Sequence, residues 1–511
     1  MGGALPARPD RPIRAAVVST VLAALIAASA LVAPPEARAA VVISGVKVTA
    51  ATSTSFTVTL DSLGSGWTYR VYASTNRPDI YVDNLPTAPH ISSLARTPRI
   101  GLSGLRYTTK PVWYRVQARK GTYRRTSEIF SVGLKPATPT ALTVTGVKGA
   151  VSLSWGGGAA SGAEVQQATN SAFAAGLRTY RIQGAGRQLT PVRLVSGTRY
   201  WFRVRSVNVS TRSGFTAAVS AIPSGRAQEV RVMTYNILTL TSDGTRAAGG
   251  VISPWSQRRT AAASYINQVN PDLIGIQEGA SWTGAVRGPR QVDDLVQVLG
   301  GTYGLAMTET PPSQPGYFRV GNYVLYKKAA WSPVGNGGRW DIGTLPEGGS
   351  RYGTYQVLRH RSSGAWMLFV TTHLYTPGGL AGDRLRQQQT ESLIAQSRAY
   401  AAAQGGLPIV YAGDFNSHEL HALDGPAVAM GRAKVADGFE VSQTFANRQY
   451  NSANQYYRTP PAYSDNVDHI FAGPGIGMRA WSQVLQLSAG TFRGVIPSDH
   501  NPVLADLTVP Y

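Results

Sequence analysis

The spacing of apolar residues changes character once along this 511-residue chain, near residue 226, and that change limits the folds open to it. Ahead of it, apolar and polar residues alternate in short runs broken by Gly, Ser, Thr and Pro, the period of two that lets one face of a strand meet a core. Behind it, apolar strands interleave with amphipathic helices. One helix is expected over 254–269, with Trp255, Ala262, Ile266 and Val269 on one face, Arg258 and Arg259 off it, and Asn270-Pro271 as its stop. Another is expected over 383–403, with Asp383 in its first turn near the positive dipole end. Strands are expected over 230–237, 273–276, 354–358, 367–372, 408–412 and 467–471. Because a single core stops growing at a few hundred residues, the chain is read as multidomain, all-β in front and α/β behind.

Arg8, Arg11 and Arg14 precede an apolar run from Ala15 to Ala33 and the small-residue pattern Ala37-Arg38-Ala39. Residues 1–39 therefore read as a secretory signal peptide cut after Ala39, which makes the mature protein extracellular. No second stretch is apolar enough to span a bilayer, so no stable membrane insertion is expected after cleavage, and a monomer is expected. The chain has no cysteine, which excludes disulfides, thiolate metal sites and a thiol nucleophile.

The net charge of +22 is unevenly placed. Residues 40–225 hold 22 Lys and Arg against 5 Asp and Glu, whereas 226–511 hold 23 against 20. The basic character thus belongs to the front modules, where it serves either solubility or attachment to an anionic polymer such as nucleic acid or a cell-surface phosphate polymer.

The second front module, residues 138–224, carries Trp155 in an early strand and, some forty-five residues on, Leu194-Val195-Ser196-Gly197-Thr198-Arg199-Tyr200-Trp201-Phe202-Arg203-Val204. That pattern resembles a fibronectin type III domain. The first module, 40–136, has the matching Trp113-Tyr114-Arg115-Val116 without the early tryptophan. In such sandwiches these aromatics fill the core, and the tyrosine hydroxyl fixes a corner by bonding backbone. Ile222-Pro223-Ser224-Gly225 reads as a hinge into the third domain, 226–511.

Nearly every strand of that third domain meets a polar group suited to phosphoryl chemistry. The stations are Thr234-Tyr235-Asn236, Gln277-Glu278, Thr372-His373-Leu374, Gly413-Asp414-Phe415-Asn416, Asp465-Asn466-Val467-Asp468 and Ser498-Asp499-His500-Asn501-Pro502. Each alone is weak, but six in order resemble the endonuclease/exonuclease/phosphatase superfamily, which includes deoxyribonuclease I and the neutral sphingomyelinases. The resemblance implies a four-layered α/β sandwich and a metal-dependent phosphoester hydrolase.

A phosphodiester resists attack because its negative oxygens repel the nucleophile, so a hard cation must neutralise them. Glu278 is expected to anchor it, with Asn236 and Asp499 as further oxygen ligands, and such a set suits Mg²⁺, with Mn²⁺ or Ca²⁺ as substitutes. The resemblance pairs His500, as proton acceptor from water, with Asp468. It gives Asp414 and Asn416 the positioning of water or phosphorane, and His373 a hydrogen bond to phosphate or the leaving group.

His418 and His421 form H-x-x-H but lack a third zinc ligand at suitable spacing, and His469 should point to the opposite face of its strand from Asp468. Arg351 is read as either a phosphate contact or a solvated residue. Nucleic acid is the leading substrate; a sphingomyelinase-type lipid phosphodiesterase, or an adhesion or cell-wall-binding protein with an inactive hydrolase domain, are the alternatives.

Overall fold

The computed structural model describes residues 43–147, 150–157, 160–184, 186–192, 194–282, 290–306, 318–463 and 465–511. The signal peptide expected over 1–39 lies outside them. Two compact units are present.

In the first unit, Thr68–Ser74 pairs antiparallel with Val112–Lys120 and with His90–Ile91, and Val71, Tyr114 and Val116 are buried. The Tyr69 hydroxyl accepts a hydrogen bond from Leu63 N at 3.2 Å.

The second unit contains everything from Ser131 to Tyr511. Its front part is two sheets. Thr140–Val147, Ala150–Gly156 and Gln188–Leu189 form one; Gly162–Ala168, Arg178–Gln183, Tyr200–Asn208, Thr211–Arg212 and Val219–Ala221 form the other. Trp155, Tyr200, Phe202 and Val204 are buried, and the Tyr200 hydroxyl accepts from Val195 N at 3.1 Å, bracing a corner. Trp201, one step out of phase, is half-buried.

The segment 222–225 is not a free hinge. Arg226 exchanges backbone hydrogen bonds with Tyr511, and Val151, Trp155 and Phe202 share one apolar cluster with Phe439, Met478, Trp481 and Val509. Burial of that shared surface, at roughly 25 cal/mol per Å², fixes a connector that composition alone reads as flexible.

The rest of the unit is built on two larger sheets. The first holds β1 (Ala227–Asn236), β2 (Leu273–Trp282), β3 (Tyr303–Leu305), β4 (Phe318–Lys327), β10 (Thr444–Ala446), β12 (Gly477–Gln483) and β13 (Val503–Pro510), in the order β3-β4-β2-β1-β13-β12-β10. The second holds β5 (Trp331–Thr344), β6 (Ser350–His360), β7 (Trp366–His373), β8 (Ile409–Asp414), β9 (Ala436–Asp437) and β11 (Asp468–Ala472), in the order β5-β6-β7-β8-β11-β9.

Period-two alternation assigns the faces. Val230 and Val232 of β1 meet Met367, Phe369, Val410 and Ile470 between the sheets, whereas Met233 and Tyr235 pack outward against α1 (Trp255–Val269) and α2 (Gln291–Val298). On the far side, Leu368, Val370 and Tyr411 pack against α3 (Gly379–Ala403) and α4 (Gly425–Arg432). The result is helix, sheet, sheet, helix.

Each sheet contains a parallel pair joined by a helical crossover, β1-α1-β2 and β7-α3-β8, and β10 and β12 form a further parallel pair at the edge of the first. A parallel pair requires such a crossover, which brings both strands to the same rim at their C-terminal ends. The antiparallel neighbours β11 and β13 begin at that rim, so Asp468 and the 497–502 loop stand at strand starts where the others stand at strand ends.

The Gly-rich segment after Trp331 is one long edge strand, its register shifts absorbing the glycines. Two local expectations are corrected. Helix α3 begins at Gly379, so Asp383 is not in the first turn; it is buried, paired with Arg386, 3.0 Å from His421 Nδ1, and accepts from Leu423 N. Arg258, expected off the apolar face of α1, is fully buried. Its Nη1 donates to the carbonyls of Ile237, Leu238 and Pro497 at 2.9–3.1 Å, its Nε to Ser253 O and its Nη2 to Asp243. One guanidinium thus ties together the two loops that leave β1 and enter β13. Arg258→Met should lower unfolding stability by about 1–3 kcal/mol, since it leaves the buried carbonyls of Ile237, Leu238 and Pro497 without their donor. An unchanged urea midpoint would refute this.

Candidate active site

Glu278 owes its position to a bulge. Between Ile276 and Gly279, β2 carries one more residue than β4 does between Tyr323 and Gly321, and Glu278 sits in the left-handed region at φ 59°. Such an insertion re-aims a side chain, and a non-glycine held there is a strained conformation characteristic of functional sites. The Glu278 carboxylate accepts from Thr239 N at 3.2 Å and from Asn236 Nδ2 at 3.0 Å.

Lateral register supplies the next three groups. At the rim, His373 of β7 lies beside Asp414 of β8, and Asp414 lies beside Asp468 of β11. Neighbouring strands run about 4.8 Å apart, so three residues distant in sequence stand side by side. His373 Nε2 is 3.5 Å from Asp414 Oδ2, and its Nδ1 is 4.0 Å from Glu278 Oε1.

Asn236 joins the two sheets, its Nδ2 donating to Glu278 and, at 3.1 Å, to Asp414. Its Oδ1 accepts from Leu238 N at 3.1 Å. The amide oxygen thus accepts from backbone, and the amide nitrogen faces the two carboxylates. Asn416 lies just past β8 at φ 49°, its N–H closing a turn onto Asp414 Oδ1 and its Nδ2 donating to Leu374 O.

His500 arrives on the 497–502 loop. Ser498 Oγ donates to Asn236 O at 2.7 Å and accepts from His500 N, while Asp499 O accepts from Asn454 N and Gln455 N. The imidazole then places Nδ1 2.8 Å from Asp468 Oδ2 and Nε2 3.7 Å from Asp414 Oδ2. Asp468 is itself held by Ser452, whose hydroxyl accepts from Val467 N and Asp468 N.

The electrostatics divide the groups. Burial alone would depress His500, but Asp468 and Asp414 carry it well above the ordinary imidazole value, so it holds its proton in this field. Burial pushes Asp468 up against the pull of His500; the more basic imidazole keeps the proton the two share. Burial lowers His373, leaving a neutral ring. His500 and His373 overcome the burial of Asp414 and hold it below the usual carboxylate range. Asp499 is raised, first by burial and then by Glu278 and Asp414.

Crowded oxygen donors with an excess of negative charge fit a hard divalent cation. Ligating atoms of Asp414, Asp468 and His500 lie within 4.8 Å of one another, compact enough to hold one. The His500 and Asp468 atoms are hydrogen bonded to each other. Glu278 and Asp499 accept no hydrogen bond from a cationic side chain among the described residues.

Arg351, open between two readings in sequence, comes close to the site. Burial lowers it while Asp414 and Glu278 raise it, and its Nε is buried with no hydrogen-bond partner among the described residues. Sequence reasoning gave no role to Ser452, Asn454 and Ser498, polar residues in irregular segments that position loops, and it set Arg258 on the wrong face of its helix.

His469 faces away from the rim, as expected from strand alternation. Its Nδ1 is 2.8 Å from Asp437 Oδ2 and its Nε2 2.9 Å from Ser417 O, so it clamps the turn that follows Asn416. His418 and His421 place their rings 4.3 Å apart beside Asp465 and Asp383.

Among solved structures, the chain is similar to an endonuclease/exonuclease/phosphatase family protein from Bacteroides thetaiotaomicron, at 17% identity over 56% of this chain and 99% of that one, with a TM-score of 0.42. A protein of the same description from Bacteroides vulgatus gives 19%, 55%, 99% and 0.41. The catalytic domain of human Nocturnin with bound sulfate gives 18%, 55%, 97% and 0.39. No curated protein matches. The model of the Endonuclease/Exonuclease/phosphatase family matches residues 233–500, more than half of the chain. That span opens inside β1, encloses five rim stations and closes on His500 within the sixth, and by it the chain belongs to the endonuclease/exonuclease/phosphatase family.

Proposed function

We propose that this hydrolase is a secreted, divalent-metal-dependent phosphodiesterase acting on nucleic acid. The observation that carries the reading is the unbroken polar chain Asp468, His500, Asp414, Asn236, Glu278 across two sheets, with the half-buried Arg351 at its side. Glu278 and Asp499 would hold Mg²⁺, or Mn²⁺ or Ca²⁺ in its place. A cation held by them would supply neutralisation of the phosphoryl oxygens that otherwise repel the attacking water.

Asp468 orients the His500 ring through Nδ1 and directs Nε2 towards Asp414. His500 accepts a proton from water once the field of the surrounding carboxylates is offset, because that field is what holds its proton. Asp414 and Asn416 position the water. Neutral His373 donates a hydrogen bond to a phosphoryl oxygen or to the leaving group, and Arg351 supplies a fixed positive charge for the phosphate. The two front modules, read as fibronectin type III-like sandwiches, add sequence-independent grip.

The test is a panel of DNA, RNA, sphingomyelin and phosphate monoesters, assayed with and without chelator. Metal-dependent cleavage of DNA or RNA is expected. Activity confined to sphingomyelin, or to monoesters, would replace the nucleic-acid reading, and turnover that survives exhaustive chelation would remove the metal from it.

A further inference from the structure

We propose that single-stranded nucleic acid is held in a trough of about 1150 Å³ between the five-stranded front sheet of the second unit and the β10-β12 edge of its first large sheet. This rests on the phosphodiesterase reading above and names where its polymeric substrate is gripped.

Five arginines line the trough, Arg178, Arg181, Arg205, Arg212 and Arg479, against two acids, Glu164 and Asp506. The acids are already engaged. Glu164 pairs with Arg205 and Arg212, and Asp506 pairs with Arg479 and Arg231. Strand register sets Arg181 and Arg205 on either side of Glu164, a guanidinium on each outer strand and the carboxylate between them. The acids fix the planes of the arginines they pair with and leave the trough with an excess of positive charge. Phe215 lies under both Arg203 and Arg205, 4.3 and 4.5 Å from their guanidinium carbons, and stiffens the same face.

A site for a small molecule encloses about 300–1,000 Å³; a larger, open, two-walled trough suits a length of polymer. Guanidinium forks match phosphate. Gln166, Gln183 and Gln443 lie among them, and amides pair donor with acceptor as base edges do. A polyol phosphate chain has no such edges, which favours nucleic acid as occupant.

Thr444 lines the trough, and eight residues later Ser452 receives the Asp468 N–H, so the trough stands within about 25 Å of the rim, the extended length of that segment.

Arg178 and Arg181 are exposed on an edge strand, so their substitution leaves the fold intact. Binding of a fluorescein-labelled 20-residue oligothymidylate to the full chain is measured by anisotropy in chelator, across a salt series. The Arg178→Gln/Arg181→Gln variant should bind at least tenfold more weakly, with its salt slope reduced by about 1.4, at roughly 0.7 for each phosphate no longer neutralised. Hydrolysis of bis(4-nitrophenyl) phosphate should stay at the wild-type rate. Unchanged affinity and slope would overturn the proposal, as would tighter binding of poly(glycerol phosphate) than of the oligonucleotide. Because the assay needs no cleavage, weakened binding by the variant alongside a wild type that cuts no nucleic acid would sink the enzymatic reading and leave the trough standing.

Discussion

His500→Ala should lower phosphodiester hydrolysis by about 10²–10⁴, the range a positioned acid or base contributes. The ring sits between Asp468 and Asp414, both buried, so its removal should also lower stability, and the rates are compared at a temperature where the variant is folded. Asp468→Asn should also be severe, and the double variant hardly worse than His500→Ala, because the two groups act as one unit. Fully additive losses would show that they act independently. The pH profile gives a second reading. Asp468 is among the groups that raise His500, so Asp468→Asn should move the His500-dependent arm to lower pH. An arm that stays in place would assign it to another group, and retention of wild-type rate by His500→Ala would remove His500 from the catalytic set.

The second large effect is on stability. His469 is buried and bonded at both ring nitrogens, and although burial lowers it, Asp437 and neighbouring groups carry it up to about 10. Its folded value lies above the ordinary one near 6.5, so its charge contributes stability that is fully present below about 6.5 and is lost as pH rises towards about 10. His469→Gln should cost about 3–5 kcal/mol at pH 6, since it leaves Asp437 buried without its cation. Urea midpoints of the two proteins should converge between pH 6.5 and 10. A gap that stays constant over that window would mean that His469 is neutral in the fold. The same substitution frees Ser417 O and the turn behind Asn416, so activity should fall with stability.

Much of the site was legible because its residues cluster in short segments. Gly413-Asp414-Phe415-Asn416 and Ser498-Asp499-His500-Asn501-Pro502 put several functional groups within a few positions, and each follows or precedes an apolar run whose period marks a strand. Strand alternation likewise separated His469 from Asp468. Arg258 was misread for the same reason that such reasoning succeeds elsewhere: helical periodicity sorts residues by polarity, and a buried arginine satisfied by carbonyls of other loops violates that sorting.

The order of strands and helices, the six polar stations and the concentration of positive charge in the front modules can all be read along the chain, because each is a property of residues close in sequence. The assembly of the site came from long-range packing. Parallel pairing set His373 beside Asp414, a bulge against β4 turned Glu278 out of its ladder, and Asn236 became the donor between two carboxylates when two sheets met face to face. These are contacts between strands far apart in sequence, fixed by register and by burial of a shared core, and no local pattern encodes which partner a strand will find.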